Sequence, residues 1–383
     1  MSPTIDHPTP HLPNRRSAFS NASEPGSNAV DLKALAQHLG LSKGTISRAL
    51  NGYPEIADRT RARVLQAAAE LGYKPNRAAR RLATGRNDMV SYIGVGSDWM
   101  TVERTFLGAL STTLASRGYG LMVSLADRME HAEDTMRQLI EDRRADGFVL
   151  SAAFPADARI ALALEYGVPA AVIGGTSVRS SHTGALPTIG INDSAVLDGL
   201  VDYLNSLGHV SFAYFGCDAP QAIQALHSET LAASCGNRNA HFMRSTRMGS
   251  QTNTVDGPPL YDTETAASLT DRATRILDSK PSGPTAVFCG CERTVVALYM
   301  AARDRGLSVP EELSIIGIGS SQLASWLSGG LSTVSWSLSE AGRLAADCVL
   351  AQVEGTDSPD LNAGIEVEFV ARSSHGPAPR PVL

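Results

Sequence analysis

The sequence predicts a small all-α unit with helix-turn-helix spacing, followed by a much larger α/β part built of repeated βα units. Three observations carry that expectation. Charge is segregated: residues 29–86 hold eleven Lys and Arg against four Asp and Glu, whereas residues 87–383 hold 20 basic and 33 acidic side chains. Two short amphipathic patterns, Leu32 to Leu39 and another beginning at Ser42, are separated by a turn of about three residues, the spacing that sends a second helix into a DNA major groove. From Met89 onward, short apolar runs alternate with helical stretches, as in parallel sheets covered on both faces.

With 383 residues, 43% of them hydrophobic and 19% charged, the chain exceeds one domain and has ordinary globular composition. Residues 1–28, rich in Pro, Ser, Asn and His, read as a disordered tail without the apolar core of a signal peptide, and no apolar run is long enough to span a bilayer. A cytoplasmic protein without membrane contact is expected. Five scattered cysteines (Cys217, Cys235, Cys289, Cys291 and Cys348) suit reduced thiols better than a disulfide framework. Cys289-x-Cys291 lacks a second pair at metal spacing, so no zinc site is expected. Gly94-x-Gly96 and Gly317-x-Gly319 do not extend to a dinucleotide fingerprint, so no cofactor is expected either.

The helix-turn-helix domain is expected over residues 29–74. Leu32, Leu35, Ala36 and Leu39 form the inner face of a first helix, with Asp31 able to cap it and Gly40 ending it. Ser42 caps a second helix whose Ile46 and Leu50 point inward. Lys43, Gly44, Ser47 and Arg48 then lie on its outer side, with Thr45 in the same first turn. A third helix carries Val64, Leu65, Ala68 and Leu71 toward the core, and Gly72 closes it. Arg59, Thr60, Arg61 and Arg63 crowd its first turns, where cations oppose the helix dipole and a polyanion nearby is the better explanation.

Residues 75–88 are expected to form a hinge helix and linker. Pro75 stops the preceding helix, Asn76 can cap, and Arg77 to Ala83 make two turns, too short to stand alone in water. Docked on DNA, such a segment presents Arg77, Arg80 and Arg81 to phosphates and Leu82 as a wedge that unstacks a base step in the minor groove.

The words Leu-Ser-x-x-Thr-Ile-Ser-Arg-x-Leu-Asn-Gly (Leu41 to Gly52), Thr60-Arg-x-x-Val64, Leu71-Gly-Tyr-x-Pro-Asn76 and Ala79-Arg-x-Leu82, in that order and spacing, resemble the LacI/GalR family of bacterial transcription regulators. The resemblance implies base-reading positions for Lys43, Gly44 and Arg48, with Ser42, Thr45 and Ser47 in the same helix. It implies backbone contacts for Asn51, Arg59 and Thr60, and a hinge helix with Asn76, Arg77, Ala79, Arg80 and the wedge Leu82. Asp31 departs from the family's usual Thr, so no phosphate contact is expected from it.

Beyond residue 88, candidate strands are VSYIGVG, LMVSL, GFVLSA, AAVIGG, TIGIND, SFAYFG, TAVFCG and SIIGIGS. The resemblance continues in DGFVL, GVPAAVIG, LGHVSFAYFG, RGLSVPEELSIIGIG, LSTVSW and IEVEFVARSS. It implies a two-lobed, periplasmic-binding-protein-like (type I) effector and dimerisation domain over 89–383. Lobe 1 is expected over about 89–187 with a return near 317–345, and lobe 2 over about 188–316 with the C-terminal segment. Ligands of such sheets sit beyond the C-terminal strand ends. With that rule the resemblance offers Trp99, Asn192, Asp193, His227, Glu292 and Ser320 as effector-site candidates, with His227 at the position of the family's effector-binding arginine, while Asn192 and Asp193, at a strand end, read first as helix caps.

Several stations depart from the family. Gly174 and Gly175 stand where a charged residue is frequent, Cys291 and Glu292 where Asn-Asp or Ser-Asp is common, and Ile318 and Gly319 where Phe-Asp is frequent. Arg and Asp pairs suit polyols because they supply fixed donors and acceptors together, so an altered effector or a weakened site is expected.

The function expected is a sequence-specific DNA-binding regulator, a repressor by resemblance, bound as a homodimer to a pseudo-palindromic double-stranded operator and controlled by a sugar-like small molecule; a tetramer is left open. Two alternatives stand beside it: a solute-binding protein of the same two-lobed fold, and a regulator that has lost its effector response. An enzyme would need a catalytic cluster, and the sequence presents none.

Overall fold

Asp31 starts the first helix, α1 (Leu32–Leu39), by accepting the Ala34 N–H at 2.7 Å, and Gly40 ends it with φ 66°. The computed structural model describes residues 30–50, 53–73, 85–95, 100–151, 157–174, 186–191, 193–216, 222–245, 265–279, 283–319, 323–327, 329–357, 359 and 364–380. The expected tail and hinge helix lie outside these residues. So do Asn51, Asn76, Arg77, Ala79, Arg80, Leu82, Trp99, Asn192 and Ser320. The chain divides into two units, Met1–Gly85 and Arg86–Leu383.

In the first unit, α2 (Lys43–Leu50) and α3 (Asp58–Glu70) follow α1. Leu35, Ile46 and Val64 are completely buried at their junction, with Ala36, Ala49, Ala67 and Ala68 around them. Burying each of the three large side chains contributes about 2 kcal/mol, which is how helices this short persist. Leu65 does not join this core, contrary to expectation. It is half exposed, and Ala67 takes the inner position, because a step of one residue turns about 100° around a helix and carries Leu65 off the face that Val64 and Ala68 share.

The second unit holds two sheets. The first has the order β2-β1-β3-β4-β5, from β1 (Met89–Val95), β2 (Gly120–Ala126), β3 (Gly147–Leu150), β4 (Ala170–Ile173) and β5 (Thr188–Ile189), all parallel. The second runs β11-β10-β9-β8-β6-β7, from β6 (Ser211–Phe215), β7 (His241–Ser245), β8 (Ala286–Cys289), β9 (Ser314–Ile318), β10 (Ser332–Trp336) and β11 (Val367–Val370), with only β11 antiparallel among its described pairs. Every strand expected from the sequence is present; β7, β10 and β11 join them.

Between the strands run α4 (Met100–Ser116), α5 (Met129–Glu141), α6 (Ala158–Tyr166), α7 (Ser194–Ser206), α8 (Ala222–Asn237), α9 (Ala266–Asp278), α10 (Glu292–Asp304), the short α11 (Leu323–Trp326) and α12 (Leu338–Glu354). The division between lobes differs from expectation. Thr188 and Ile189 pair with β4 in the first sheet, whereas β9 and β10 pair with each other in the second. The segment returning to the first sheet is therefore α12, whose Ala341, Ala345 and Val349 share a core with Val90, Leu110 and Val149. Two glycines permit it. A Cβ on Gly342 would stand 2.4 Å from the Phe106 carbonyl oxygen, and one on Gly147 would stand 2.4 Å from Val349 Cγ1. Apolar periodicity marks a strand but not the sheet it joins, which is why the boundary was misplaced.

Cys235, Cys289 and Cys348 are free and buried, as expected of reduced thiols. Cys291 is not: it is disulfide-bonded. Cysteine spacing along a chain carries no information on which sulfurs the fold pairs.

Candidate nucleic-acid interface and effector site

Ser42 sets the geometry of the candidate reading helix. Its Oγ accepts the Thr45 N–H at 3.0 Å and lies 2.9 Å from Thr45 Oγ1, so the first turn of α2 is held by its own side chains. Ile46 and Ala49 anchor the inner face. Lys43, Gly44 and Arg48 are consequently exposed together, and Thr45 and Ser47 are half-buried beside them. A Cβ added to Gly44 would meet only Ser42 Oγ, at 3.7 Å, so nothing inside the domain requires glycine there.

Arg59 is exposed and Thr60 half-buried at the start of α3. Arg61 behaves differently from its neighbours. Its guanidinium donates to the Tyr53 carbonyl at 2.8 Å, the Ile56 carbonyl at 3.2 Å and Asp58 at 3.2 Å, so it fastens the loop before α3 rather than waiting for a polyanion. Sequence reasoning also missed Glu55, whose carboxylate stands 3.9 Å from Arg48 Nε with both groups exposed.

In the second unit the first sheet's strand ends are tied by Arg159, which is completely buried. It donates to the Ile93 carbonyl at 2.9 Å, the Ser151 carbonyl at 2.7 Å and both oxygens of Asp157. Tyr92 donates to Ser151 Oγ at 2.6 Å beside it. Arg272 plays the same part in the second sheet: it donates to the carbonyls of Gly216, at 2.6 Å, and Ser245, while its guanidinium lies 5.1 Å from the Phe215 ring centre. Each is a lone arginine in a helical pattern, with no sequence signal separating it from a surface arginine.

Asp193 and His227, both effector candidates, are brought together. Asp193 is completely buried and begins α7 without capping it through its side chain; its Oδ2 lies 2.6 Å from His227 Nε2. The contact is an ion-pair distance with poor hydrogen-bond direction, so neither group's oxygens or nitrogens make a well-formed hydrogen bond among the described residues. The Tyr214 ring meets His227 edge-on at 6.4 Å, and burial pushes its hydroxyl well above the usual tyrosine range, with Cys289 and Asp193 adding to the effect. Tyr214 Oη and Ser228 Oγ are likewise buried without a hydrogen bond among the described residues. Glu292 is half-buried at the start of α10, next to Cys291.

Two family models match this chain. Residues 31–76, which include all three described helices of the first unit, match the model described as bacterial regulatory proteins, lacI family. The first unit therefore carries a LacI-type helix-turn-helix domain. Residues 201–375 match the periplasmic binding protein-like domain. LacI-family relatives include the HTH-type transcriptional regulator AglR of Rhizobium meliloti, 28% identical over 91% of this chain and 95% of that one. The HTH-type transcriptional repressor CytR of Escherichia coli K12 is 26% identical over 90% and 96% of the two chains. Among solved structures, the lac repressor dimer bound to operator and the anti-inducer ONPF shares the fold with a TM-score of 0.68, at 20% identity over 90% of this chain and 99% of that one. The chain is a transcriptional regulator with a LacI-type helix-turn-helix domain. Among the described residues, no helix is long and apolar enough to cross a membrane.

Proposed function

We propose that the chain binds a pseudo-palindromic operator as a homodimer, represses from it, and does so in the cytoplasm, associated with the nucleoid while bound. The observation that carries this reading is the exposed set Lys43, Gly44 and Arg48 on a helix whose first turn is already satisfied by Ser42. That face is exposed, with the Glu55 carboxylate 3.9 Å from Arg48, and its helix N-terminus favours an anion. Arg48 suits a bidentate guanine contact, Lys43 a base edge or phosphate, and Gly44 lets the backbone approach closely. Arg59 and Thr60 suit the DNA backbone, with Asn51. The hinge residues Asn76, Arg77, Ala79, Arg80 and Leu82 complete the interface, Leu82 as the minor-groove wedge.

One helix-turn-helix covers about half a turn of duplex, so a second copy is needed for a useful site. The lac repressor structure, a dimer on its operator, supports that arrangement. A small polar effector at the strand ends of the two lobes, near Asp193, His227 and Glu292 with Trp99, Asn192 and Ser320, would bias the lobes and so the DNA affinity. The regulator CelR is seen with cellobiose, which supports a carbohydrate-like ligand class. The His227–Asp193 contact favours an atypical member of that class, because here the imidazole faces a carboxylate of its own chain.

Selection of bound duplexes from a random pool tests the reading helix. Gly44→Gln is expected to yield a changed binding-site logo with the fold intact; an unchanged logo would show that Gly44 is merely tolerated. Calorimetry tests the effector. Micromolar binding of an unmodified hexose or disaccharide would contradict the atypical site.

A further inference from the structure

Buried polar atoms without a hydrogen bond are rare in folded proteins, so a cluster of them marks a place shaped for a further partner. Among the described residues, ten buried side-chain nitrogens and oxygens lack a hydrogen bond, and five of the ten belong to Asp193, His227 and Tyr214. These three residues are at most 2% exposed. The other five atoms fall one each on Arg61, Asn87, Ser91, Arg128 and Ser228.

Three separate elements bring them together. Tyr214 is the last residue but one of β6, Asp193 immediately precedes α7, and His227 lies in α8. Asp193 Oδ2 stands 2.6 Å from His227 Nε2, and the Tyr214 ring plane is turned 78° from the imidazole. Tyr214 shares its core with Leu197, Leu231 and Phe288, and such apolar surroundings sharpen any electrostatic preference. That preference has a sign. Burial first, then Cys289 and Asp193, keep the Tyr214 hydroxyl protonated. The Asp193 carboxylate is an acceptor only, with about four lone-pair sites, and an imidazole at a poor angle does not satisfy them. A phosphate or a second carboxylate would meet it charge to charge. An ammonium brings three N–H donors instead and leaves the imidazole and the phenol to bond neighbouring hydroxyls.

We propose that Asp193, His227 and Tyr214 are the specificity-determining end of the effector site and select a small hydroxylated amine, its ammonium on Asp193, over neutral, phosphorylated or carboxylated sugars. The proposal deepens the effector-site reading above and rests on it. Asp193 selects the charge. Tyr214, which the sequence did not single out, donates its phenolic proton to a ligand oxygen, and His227 bonds a hydroxyl beside it. A site of this kind rejects a ligand lacking the amine because its own buried carboxylate is then left without donors.

Calorimetry on the full chain at about pH 7, where sugar amines are mostly charged, tests this. The probes are D-glucosamine, D-galactosamine and D-mannosamine, each beside its unmodified hexose and that hexose's 6-phosphate. At least one amine is expected to bind about tenfold tighter than its hexose, and the matching phosphate not to bind below about 10 mM. Asp193→Asn keeps the side chain's size and is expected to cancel the advantage of the amine. Tyr214→Phe is expected to melt as a folded protein and to weaken the amine about threefold to tenfold. A hexose or phosphate that binds as tightly as the amine, and is weakened by Tyr214→Phe, overturns the amine class and leaves the effector site standing. An amine bound equally by the wild type and both variants is held elsewhere, which overturns the effector-site reading and this proposal together. Absence of binding by every amine up to about 10 mM overturns the proposal as well.

Discussion

His227 Nε2 lies 2.6 Å from Asp193 Oδ2, with both side chains buried in the second unit. Removing one member of a buried pair strands the other, whereas removing both strands nothing. His227→Ala is expected to lower stability by about 3 kcal/mol, with Asp193→Asn costing less and the double variant costing less than the sum. Urea unfolding of the four chains measures this. Additive losses would mean that the two groups do not interact.

Glu55 holds a carboxylate beside Arg48, the side chain assigned to base reading. An exposed pair of this kind is worth at most about 1 kcal/mol, so Glu55→Gln is expected to raise affinity for any duplex by up to about fivefold, with the gain fading as salt rises. Fluorescence anisotropy on matched duplexes reads the change. A loss of affinity would show that Glu55 positions Arg48 instead of competing for it.

Acid is expected to destabilise the second unit through two histidines. His209 is fully buried, 2.8 Å from Thr285 Oγ1 and 2.9 Å from the Gly376 carbonyl; His375 lies 2.7 Å from Ser332 Oγ. Burial holds both below the ordinary 6.5, opposed in each by a carbonyl hydrogen bond, with His375 also lowering His209. The unfolded chain thus takes up protons first as pH falls. Their contribution is whole above about 6.5 and is lost as pH falls toward the lower folded values. Asp198 and Asp202, held low by hydrogen bonds from Arg238, add no slope in that range. Denaturation midpoints between about pH 5 and 7.5 should fall on acidification, and His209→Gln should flatten the fall. Equal slopes in both chains would exclude His209 as a source.

Two glycines should respond oppositely to alanine. At Gly342 a Cβ meets the backbone of α4, so Gly342→Ala is expected to cost about 1–3 kcal/mol. At Gly44 the space is open and the helix gains up to about 1 kcal/mol from alanine. Thermal unfolding of the two variants distinguishes them; equal effects would refute the packing contrast.

Most of the architecture was legible in the sequence because it follows from local periodicity. Asp31, Gly40, Ser42 and Gly72 mark helix ends by their own chemistry, and apolar runs such as AAVIGG mark buried strands. What was illegible depends on distant partners. Nothing local distinguishes Arg61 or Arg159, which serve carbonyls inside the fold, from Arg59, which is exposed. The pairing of Asp193 with His227 spans two helices, and the return of α12 to the first sheet rests on contacts at Gly342 and Gly147.

The central claim is that the outward face of α2 reads DNA. Its most direct test measures the affinity of the full chain for a selected duplex and for a random one across a range of salt. The account predicts that log affinity falls with log salt at about 0.9 per phosphate contact, and that the selected duplex binds at least about a thousandfold tighter. A flat salt dependence with equal binding to both duplexes would contradict it.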